Sequence, residues 1–171
     1  SSGVVFKHIL MNSKKEKKDE LLPEIISGEK IGTFAVYESD KYEINQDTLN
    51  TQLTTTDSGY ILSGNKKYVM FGDVSDYIAV LAKHEDGYKF VLVSSGSDGV
   101  TIKETTSLDQ TRPMCELEMS DVVLESNEVL IELDAELSEW NKVKNIALGY
   151  LAMEQVGASQ ACLDTVSYTH L

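Results

Sequence analysis

The sequence predicts an α+β fold, an antiparallel β-barrel flanked by an N-terminal helix and a long C-terminal helix. Seven or eight short strand patterns, separated by Gly and Asp turns, fill residues 31–131. Helix signals precede this segment, and a long apolar helix pattern follows it. The chain has 171 residues, 42% of them hydrophobic and 25% charged, which is enough for a sizeable core.

Residues 1–30 indicate the N-terminal helix. Ser13 and Glu16 have the spacing of a capping box, and the charged run over residues 14–18 predicts a solvent-facing helix surface. Pro23 punctuates the pattern, and Gly28 is a plausible C-terminal stop. We therefore expect a helix that ends at Gly28.

The strand patterns of residues 31–131 define the barrel. We expect strands at residues 33–37, 77–82, 88–93, 100–103, 115–119 and 122–124, and two more around a Gly64-Asn65 turn within 60–70. Residues 84–87 predict a hairpin with Asp-Gly at its corner, and residues 39–56 a long loop plus one strand. Alternation along the strands predicts six buried residues: Leu62, Val69, Ile78, Val80, Val91 and Leu117.

Residues 134–171 predict the long C-terminal helix. Its apolar surface is broader than one stripe, and small residues such as Gly149 and Gly157 allow a close helix partner. The helix therefore packs on the barrel or on partners outside this sequence. Because the pattern reaches Leu171 without a capping signal, we expect the natural protein to continue. We also expect the chain alone to expose apolar surface here and to self-associate.

Charge and cysteine content limit the function classes. A net charge of −13 repels a phosphate backbone, so we expect no nucleic-acid partner. No apolar run approaches the roughly 20 residues of a membrane span. The start of the sequence has no basic region followed by an apolar stretch, so we expect no signal peptide there. Cys115 and Cys162 could form one disulfide, but we favour two thiols in a reducing, cytoplasmic location. No metal site is predicted, because the histidines are isolated: His8, His84 and His170.

Four segments carry motifs in a fixed order over nearly the whole chain. They are KKEKKDELLPEIISGEKIGTFA (14–35), GYILSGNKKYVMFGDVSDYIAVLAK (59–83), LDQTRPMCELEMSDVVLESNEVL (108–130) and residues 147–170. In this order and spacing they resemble the acyl-CoA dehydrogenase family. The resemblance implies the end of a helical domain at 1–30, a middle β-barrel domain at 31–131 and the first helix of a C-terminal bundle at 132–171.

The resemblance also implies the chemistry. In that family FAD lies across barrel and bundle, an acyl-CoA enters beside it, and a glutamate removes the proton next to the thioester while hydride passes to the flavin. It further implies an electron-transfer acceptor and a homo-oligomer.

Two family strands, written FALTEP and WIT, contact the flavin and carry over to five positions. These cofactor-binding residues are Phe34, Val36, Tyr37, Tyr68 and Met70. Tyr37 stands where the family has Thr, and Met70, whose thioether cannot donate a hydrogen bond, stands where it has Thr or Ser. Residues 40–43 replace a family loop that helps to hold acyl-CoA. Glu38 is interpreted as an anchor for the loop after its strand.

No catalytic residue is assigned within the chain. By resemblance the base lies beyond Leu171, and an alternative family position falls at about Ala147, whose methyl takes no proton. Glu154 matches a structural helix position, and Arg112 either binds a phosphate or pairs with a nearby acid. We therefore expect weak or absent FAD binding, and no activity, from this chain alone.

Three functions remain open from the sequence. The favoured one is a fragment of an FAD-dependent acyl-CoA dehydrogenase that oxidises an acyl thioester to the 2,3-enoyl thioester. The second is a degenerate binding or assembly module without redox activity. The third is a flavoenzyme of the same fold with a different substrate.

Overall fold

A computed structural model describes residues 2–40, 44–45 and 47–169. The helices are α1 (Ser2–Met11), α2 (Lys15–Ser27) and α3 (Ser138–Thr169), with short 3₁₀ helices at Gly72–Val74 and Ser126–Glu128. The strands are β1 (Gly32–Ala35), β2 (Gln52–Thr56), β3 (Gly59–Met70), β4 (Tyr77–His84), β5 (Gly87–Ser94), β6 (Val100–Thr105), β7 (Met114–Leu124) and β8 (Val129–Leu133).

The N-terminal segment contains two helices where the sequence predicted one. The predicted capping box is wrong, because the Ser13 hydroxyl donates to the carbonyl of Leu10 at 2.6 Å and so closes the end of α1. The residue that precedes α2 is Lys14, which makes no side-chain cap. The predicted stop is confirmed, since Gly28 follows α2 in the left-handed conformation, with φ of 78°.

The eight strands form one mixed sheet that does not close. Their order is β6-β7-β3-β2-β4-β5-β8, and β1 pairs with β4 in parallel. Strand β2 also meets β4 in parallel, at Gln52 and Lys83. Within the described residues the end strands β6 and β8 do not pair, so the expected closed antiparallel barrel is corrected to an open mixed sheet. Alternation determines which face of a strand is buried, but it does not specify that strand's partner or direction.

Strand β3 passes straight through the predicted Gly64-Asn65 turn. Its pairing with β7 shifts register between Leu62 and Gly64, which marks an irregularity in a continuous strand rather than a turn. Gly64 has φ of 148°, and a Cβ there would lie 2.6 Å from the Cα of Thr51. The glycine therefore allows a close approach of two backbones. The predicted hairpin at residues 84–87 is confirmed by the pairing of β4 with β5.

The core lies on both faces of the β4–β5 hairpin. Leu81 and Phe90 point toward the helices, whereas Val80 and Val91 pack against β3 and β7. Burial on both faces explains why these two strands are nearly continuous apolar runs. All six residues predicted to be buried are at most 1% exposed.

Only the start of α3 contributes side chains that are buried in the core. Leu137, Trp140 and Val143 are buried, but every side chain from Ala152 to Tyr168 is exposed. The exposed set includes large apolar side chains, which confirms the prediction of exposed apolar surface on this helix.

The structure also bears on the two cysteines and on a possible membrane span. Cys115 is buried, Cys162 is exposed, and both are free thiols, so the two do not form the disulfide that the sequence left open. Within the described part of the chain, no helix has the length and apolar character that a membrane crossing requires.

Candidate functional site

A cavity of about 200 Å³ lies between the sheet and α3. We call it the sheet–helix cavity. Three predicted cofactor-binding residues meet there: Phe34 of β1, Tyr37 just after β1, and Met70 at the end of β3. The remaining lining residues are Val5, Arg112, Trp140, Lys144, Ala147, Leu148 and Leu151. Two segments more than thirty residues apart in the sequence therefore converge against one helix.

Aromatic packing fixes the walls of the sheet–helix cavity. The ring of Trp140 lies 5.9 Å from that of Phe34 and 5.8 Å from that of Phe90, measured between centroids. Such tilted aromatic pairs add specific geometry to a large burial of apolar area. Trp140 thus attaches the start of α3 to the sheet and holds Phe34 in place.

The structure places the other two predicted residues away from this cavity. Val36 is buried in the core on the helix side of the sheet. Tyr68 is exposed, lies in the left-handed conformation, and donates its hydroxyl to the carboxylate of Asp40. The cause is a second register shift, between Lys66 and Val69, which breaks the alternation that would otherwise point Tyr68 inward.

Arg112, the only arginine in the sequence, lines the sheet–helix cavity and also a second cavity next to it. The second cavity, of about 290 Å³, is lined by Met70, Phe71, Thr111, Arg112 and Glu154. The Arg112 guanidinium pairs with Glu154 of α3, and its Nε lies 3.8 Å from Asp109. Of the two roles that the sequence left open for Arg112, the structure therefore shows pairing with local acids.

A buried ion pair connects the two segments that meet at the sheet–helix cavity. Lys66 of β3 is fully buried, and its Nζ lies 2.7 Å from Oε1 of Glu38 and 3.2 Å from the carbonyl oxygen of Val36. The Glu38 carboxylate also accepts the backbone N–H groups of Asn50 and Thr51 and the hydroxyl of Thr51. The prediction that Glu38 anchors the following loop is confirmed.

The pKa values of this pair reflect its burial. Burial lowers the pKa of Lys66 to about 8, against the opposing effect of the Glu38 charge and hydrogen bond. Burial acts to raise the pKa of Glu38, but the charge and hydrogen bonds of Lys66 and Thr51 outweigh it, so that pKa is lowered. Both side chains are therefore charged at neutral pH.

The comparisons with known proteins indicate one family. The family model described as "Acyl-CoA dehydrogenase, middle domain" matches residues 33–122, which is more than half of the chain. The chain belongs to the acyl-CoA dehydrogenase family. It is similar to the mitochondrial isovaleryl-CoA dehydrogenase of Solanum tuberosum, with 25% identity over 96% of this chain and 42% of that protein. The chain thus spans less than half the length of this relative.

Solved acyl-CoA dehydrogenases share the fold. A glutaryl-CoA dehydrogenase from Mycobacterium smegmatis in complex with FADH2 matches 80% of this chain and 36% of its own, with 29% identity and a TM-score of 0.69. The butyryl-CoA dehydrogenase of Megasphaera elsdenii matches 83% of this chain and 39% of its own, with 20% identity and a TM-score of 0.75.

The sheet–helix cavity fits the faces of a flavin ring better than its polar edge. Phe34 and Trp140 offer apolar and aromatic contacts of the kind a planar ring system takes. At the edge, the Met70 thioether replaces a hydroxyl and donates no hydrogen bond. The volume is also below the roughly 300–1,000 Å³ typical of ligand pockets. With these contacts, the described residues could hold one face of a flavin ring.

Sequence reasoning missed three residues of this region. The sequence assigns Lys66 no part in a site, although a lysine four residues after the buried Leu62 has the register of an inward-facing side chain. The sequence likewise assigns no part in a site to Trp140 or Lys144. Their place in the cavity depends on how α3 docks, for which the local sequence carries no signal.

Proposed function

We propose that this chain is part of an FAD-dependent acyl-CoA dehydrogenase that oxidises an acyl thioester to the 2,3-enoyl thioester. The observation that carries the proposal is the convergence of Phe34, Tyr37 and Met70 on one cavity against α3. The division into residues 1–30, 31–131 and 132–171 is part of the proposal. It is supported by the sequence of two helices, one sheet and one long helix.

Each part of the chain has a separate task in this proposal. FAD, when bound, supplies the acceptor for the hydride. Phe34 and Trp140 form an apolar wall that excludes water from one side of the ring. The Glu38–Lys66 pair keeps the segment with Tyr37 next to β3, which ends in Met70. Val36, buried in the core, and Tyr68, at the surface in contact with Asp40, lie outside the cavity and are assigned no contact with the flavin.

The base of the reaction is proposed to come from outside the described residues. The lining of the sheet–helix cavity, as far as the structure describes it, contains no carboxylate. Glu154 lines the second cavity and is paired with Arg112. Proton abstraction needs a base within hydrogen-bond reach of the proton, so this chain alone should not turn over.

The proposed partners follow from the same assignment. They are an acyl-CoA or another acyl thioester, an electron-transfer acceptor, and further copies of the protein. The exposed apolar side chains of α3 support an additional contact surface. The free thiol of the exposed Cys162 supports a reducing compartment such as the cytoplasm.

Flavin titration tests the proposal on the chain itself. We expect weak FAD binding, observed as a change in the fluorescence of Trp140, and no dye reduction with a panel of acyl-CoA chain lengths. Phe34→Ala should weaken this binding further, whereas Tyr68→Phe, outside the cavity, should leave it unchanged. FAD binding that is equal in both variants would contradict the proposed site.

A second candidate function is a family member that keeps the fold without redox chemistry. The Met70 thioether in the cavity wall and the small cavity volume favour it. Complete absence of FAD binding, even in a longer protein that contains this chain, would support this candidate over the first. Turnover of a substrate other than an acyl thioester would instead support a flavoenzyme of the same fold with different specificity.

A further inference from the structure

The rim of the sheet–helix cavity carries positive charge in a chain that is strongly negative. Arg112 and Lys144 both line the cavity, and its described lining includes no Asp or Glu. The whole chain has 28 acidic and 15 basic residues, so a described lining with two cations and no acid departs from the overall composition, although Glu154 pairs with Arg112 from the second cavity. The other lining side chains are mostly apolar or aromatic. An apolar pocket with a cationic rim suits a molecule with an apolar body and an anionic end.

Lys144 and Arg112 both have N–H donors that make no hydrogen bond within the described residues. Lys144 has no ion pair or hydrogen bond to any other described residue through its side chain. Arg112 uses Nη2 for Glu154, and its Nε is 3.8 Å from Asp109. A guanidinium has five N–H donors, so those on Nη1 remain available. The contact with Glu154 also shows that a carboxylate reaches this guanidinium without rearrangement of the sheet.

We propose that Arg112 and Lys144 form an anion anchor at the rim of the sheet–helix cavity, which binds a small organic carboxylate with an aromatic or apolar body. The body lies against Phe34 and Trp140, and the carboxylate meets the two cations. Arginine binds carboxylates through paired N–H donors, which gives orientation as well as affinity. This site goes beyond the proposed function, because it requires neither a flavin nor a thioester.

Glu154 competes with the ligand in this arrangement. Its carboxylate occupies part of the guanidinium, so the ligand must share Arg112 with it or displace it. Removing the charge of Glu154 should therefore strengthen ligand binding. This effect has the opposite sign to the removal of Arg112, and a purely structural ion pair between the sheet and α3 would not produce it.

The test titrates the 171-residue chain with 3-phenylpropanoate and, separately, with its uncharged analogue 3-phenylpropanamide. Trp140 is the single tryptophan of the sequence and lines the cavity, so its emission reports binding at this place. We expect the amide to bind about tenfold more weakly than the acid, equivalent to about 1.4 kcal/mol. Added salt should weaken binding of the acid and not of the amide.

Four variants separate the anchor from a general effect of charge. Arg112→Gln and Lys144→Gln should each weaken binding of the acid without changing that of the amide, and Glu154→Gln should strengthen binding of the acid. Lys142→Gln is the matched control, because Lys142 lies on the same helix, pairs with Glu139 and does not line the cavity. Thermal unfolding by circular dichroism verifies that all four variants are folded.

Three results would overturn the anchor. They are equal binding of acid and amide, an Arg112→Gln variant that binds the acid as Lys142→Gln does, or weaker binding of the acid by Glu154→Gln. The flavin titration is independent of this outcome. Loss of charge-dependent acid binding removes the anchor alone, and loss of the effect of Phe34→Ala on FAD removes the proposed flavin site alone.

Discussion

Lys66→Met should be among the most destabilising single changes in this chain. The Lys66 side chain is fully buried and that of Glu38 is 7% exposed. Methionine fills a similar volume but removes the ammonium, so the Glu38 carboxylate keeps only its hydrogen bonds from Asn50 and Thr51. Removal of one partner of a buried ion pair costs about 3–5 kcal/mol. That is a large part of the roughly 5–15 kcal/mol by which a domain is stable.

The next residue in the sequence provides the matched control. Lys67 carries the same charge, but its side chain is 45% exposed and lies 3.9 Å from Glu116. Exposed pairs contribute about 0–1 kcal/mol, so Lys67→Met should have little effect. Urea unfolding, followed by the fluorescence of Trp140 and by far-UV circular dichroism, measures both variants. For a chain of this size we expect Lys66→Met to melt roughly 10 °C below the parent.

The double variant Lys66→Met/Glu38→Gln identifies the cause of the loss. If an uncompensated carboxylate destabilises the single variant, neutralising Glu38 should recover part of the free energy of unfolding. A Lys66→Met variant within about 1 kcal/mol of Lys67→Met would refute the reasoning. So would a double variant that loses the sum of the two single effects, because the two charges would then not interact.

Three further predictions concern pH, flavin and association. As the pH rises from about 8 towards 10.5, the parent should gain stability relative to Lys66→Met, because Lys66 loses its proton in the folded chain before it does in the unfolded chain. Parallel urea titrations of the two proteins measure this gain. A difference in free energy of unfolding that stays constant with pH would contradict the prediction. Met70→Thr or Tyr37→Thr should tighten FAD binding roughly two- to tenfold through a hydroxyl contact of the kind the family has. Met70→Leu is the control and should not tighten it. Equal FAD affinity of Met70→Thr and Met70→Leu would contradict the assignment of the cavity. The parent should self-associate through α3, as measured by analytical ultracentrifugation. Met153→Glu or Leu163→Glu should shift the association equilibrium to monomer. A parent that is monomeric at high concentration would show this expectation wrong.

Alternation and turn chemistry predicted the parts of the fold that depend on local sequence. The six core residues alternate with outward-facing or helix-facing neighbours, and their burial follows from that period. The turn signal at residues 84–87 predicted the hairpin between β4 and β5, although Glu85 and Asp86 form the turn and Gly87 already pairs with His84. The exposed end of α3 was predictable because its apolar surface is wider than one neighbour can cover.

Features that depend on long-range pairing were not predictable. The parallel contact of β1 with β4 requires a crossover, and no residue within either strand encodes its direction. Strand β3 is continuous through the predicted turn and has two register shifts in its pairing with β7. The second of these shifts places Tyr68 at the surface. The register of Lys66 indicated an inward-facing side chain, but its residue type pointed the other way, because a lysine in a strand pattern normally indicates the solvent side.

In β1 and β3, the residues that line the sheet–helix cavity and the residues that pack between the strands lie on opposite faces, so the family assignment and the proposed activity can be tested separately. Ala35 and Val69 pack into the core between the strands, whereas their neighbours Phe34 and Met70 face α3 and line the cavity. A change at Met70 therefore alters the cavity without removing a core contact. The scaffold can persist while the cavity changes, so the fold alone does not establish redox chemistry. Measurements on Phe34 and Met70 variants test the chemistry, and measurements on Lys66 variants test the scaffold.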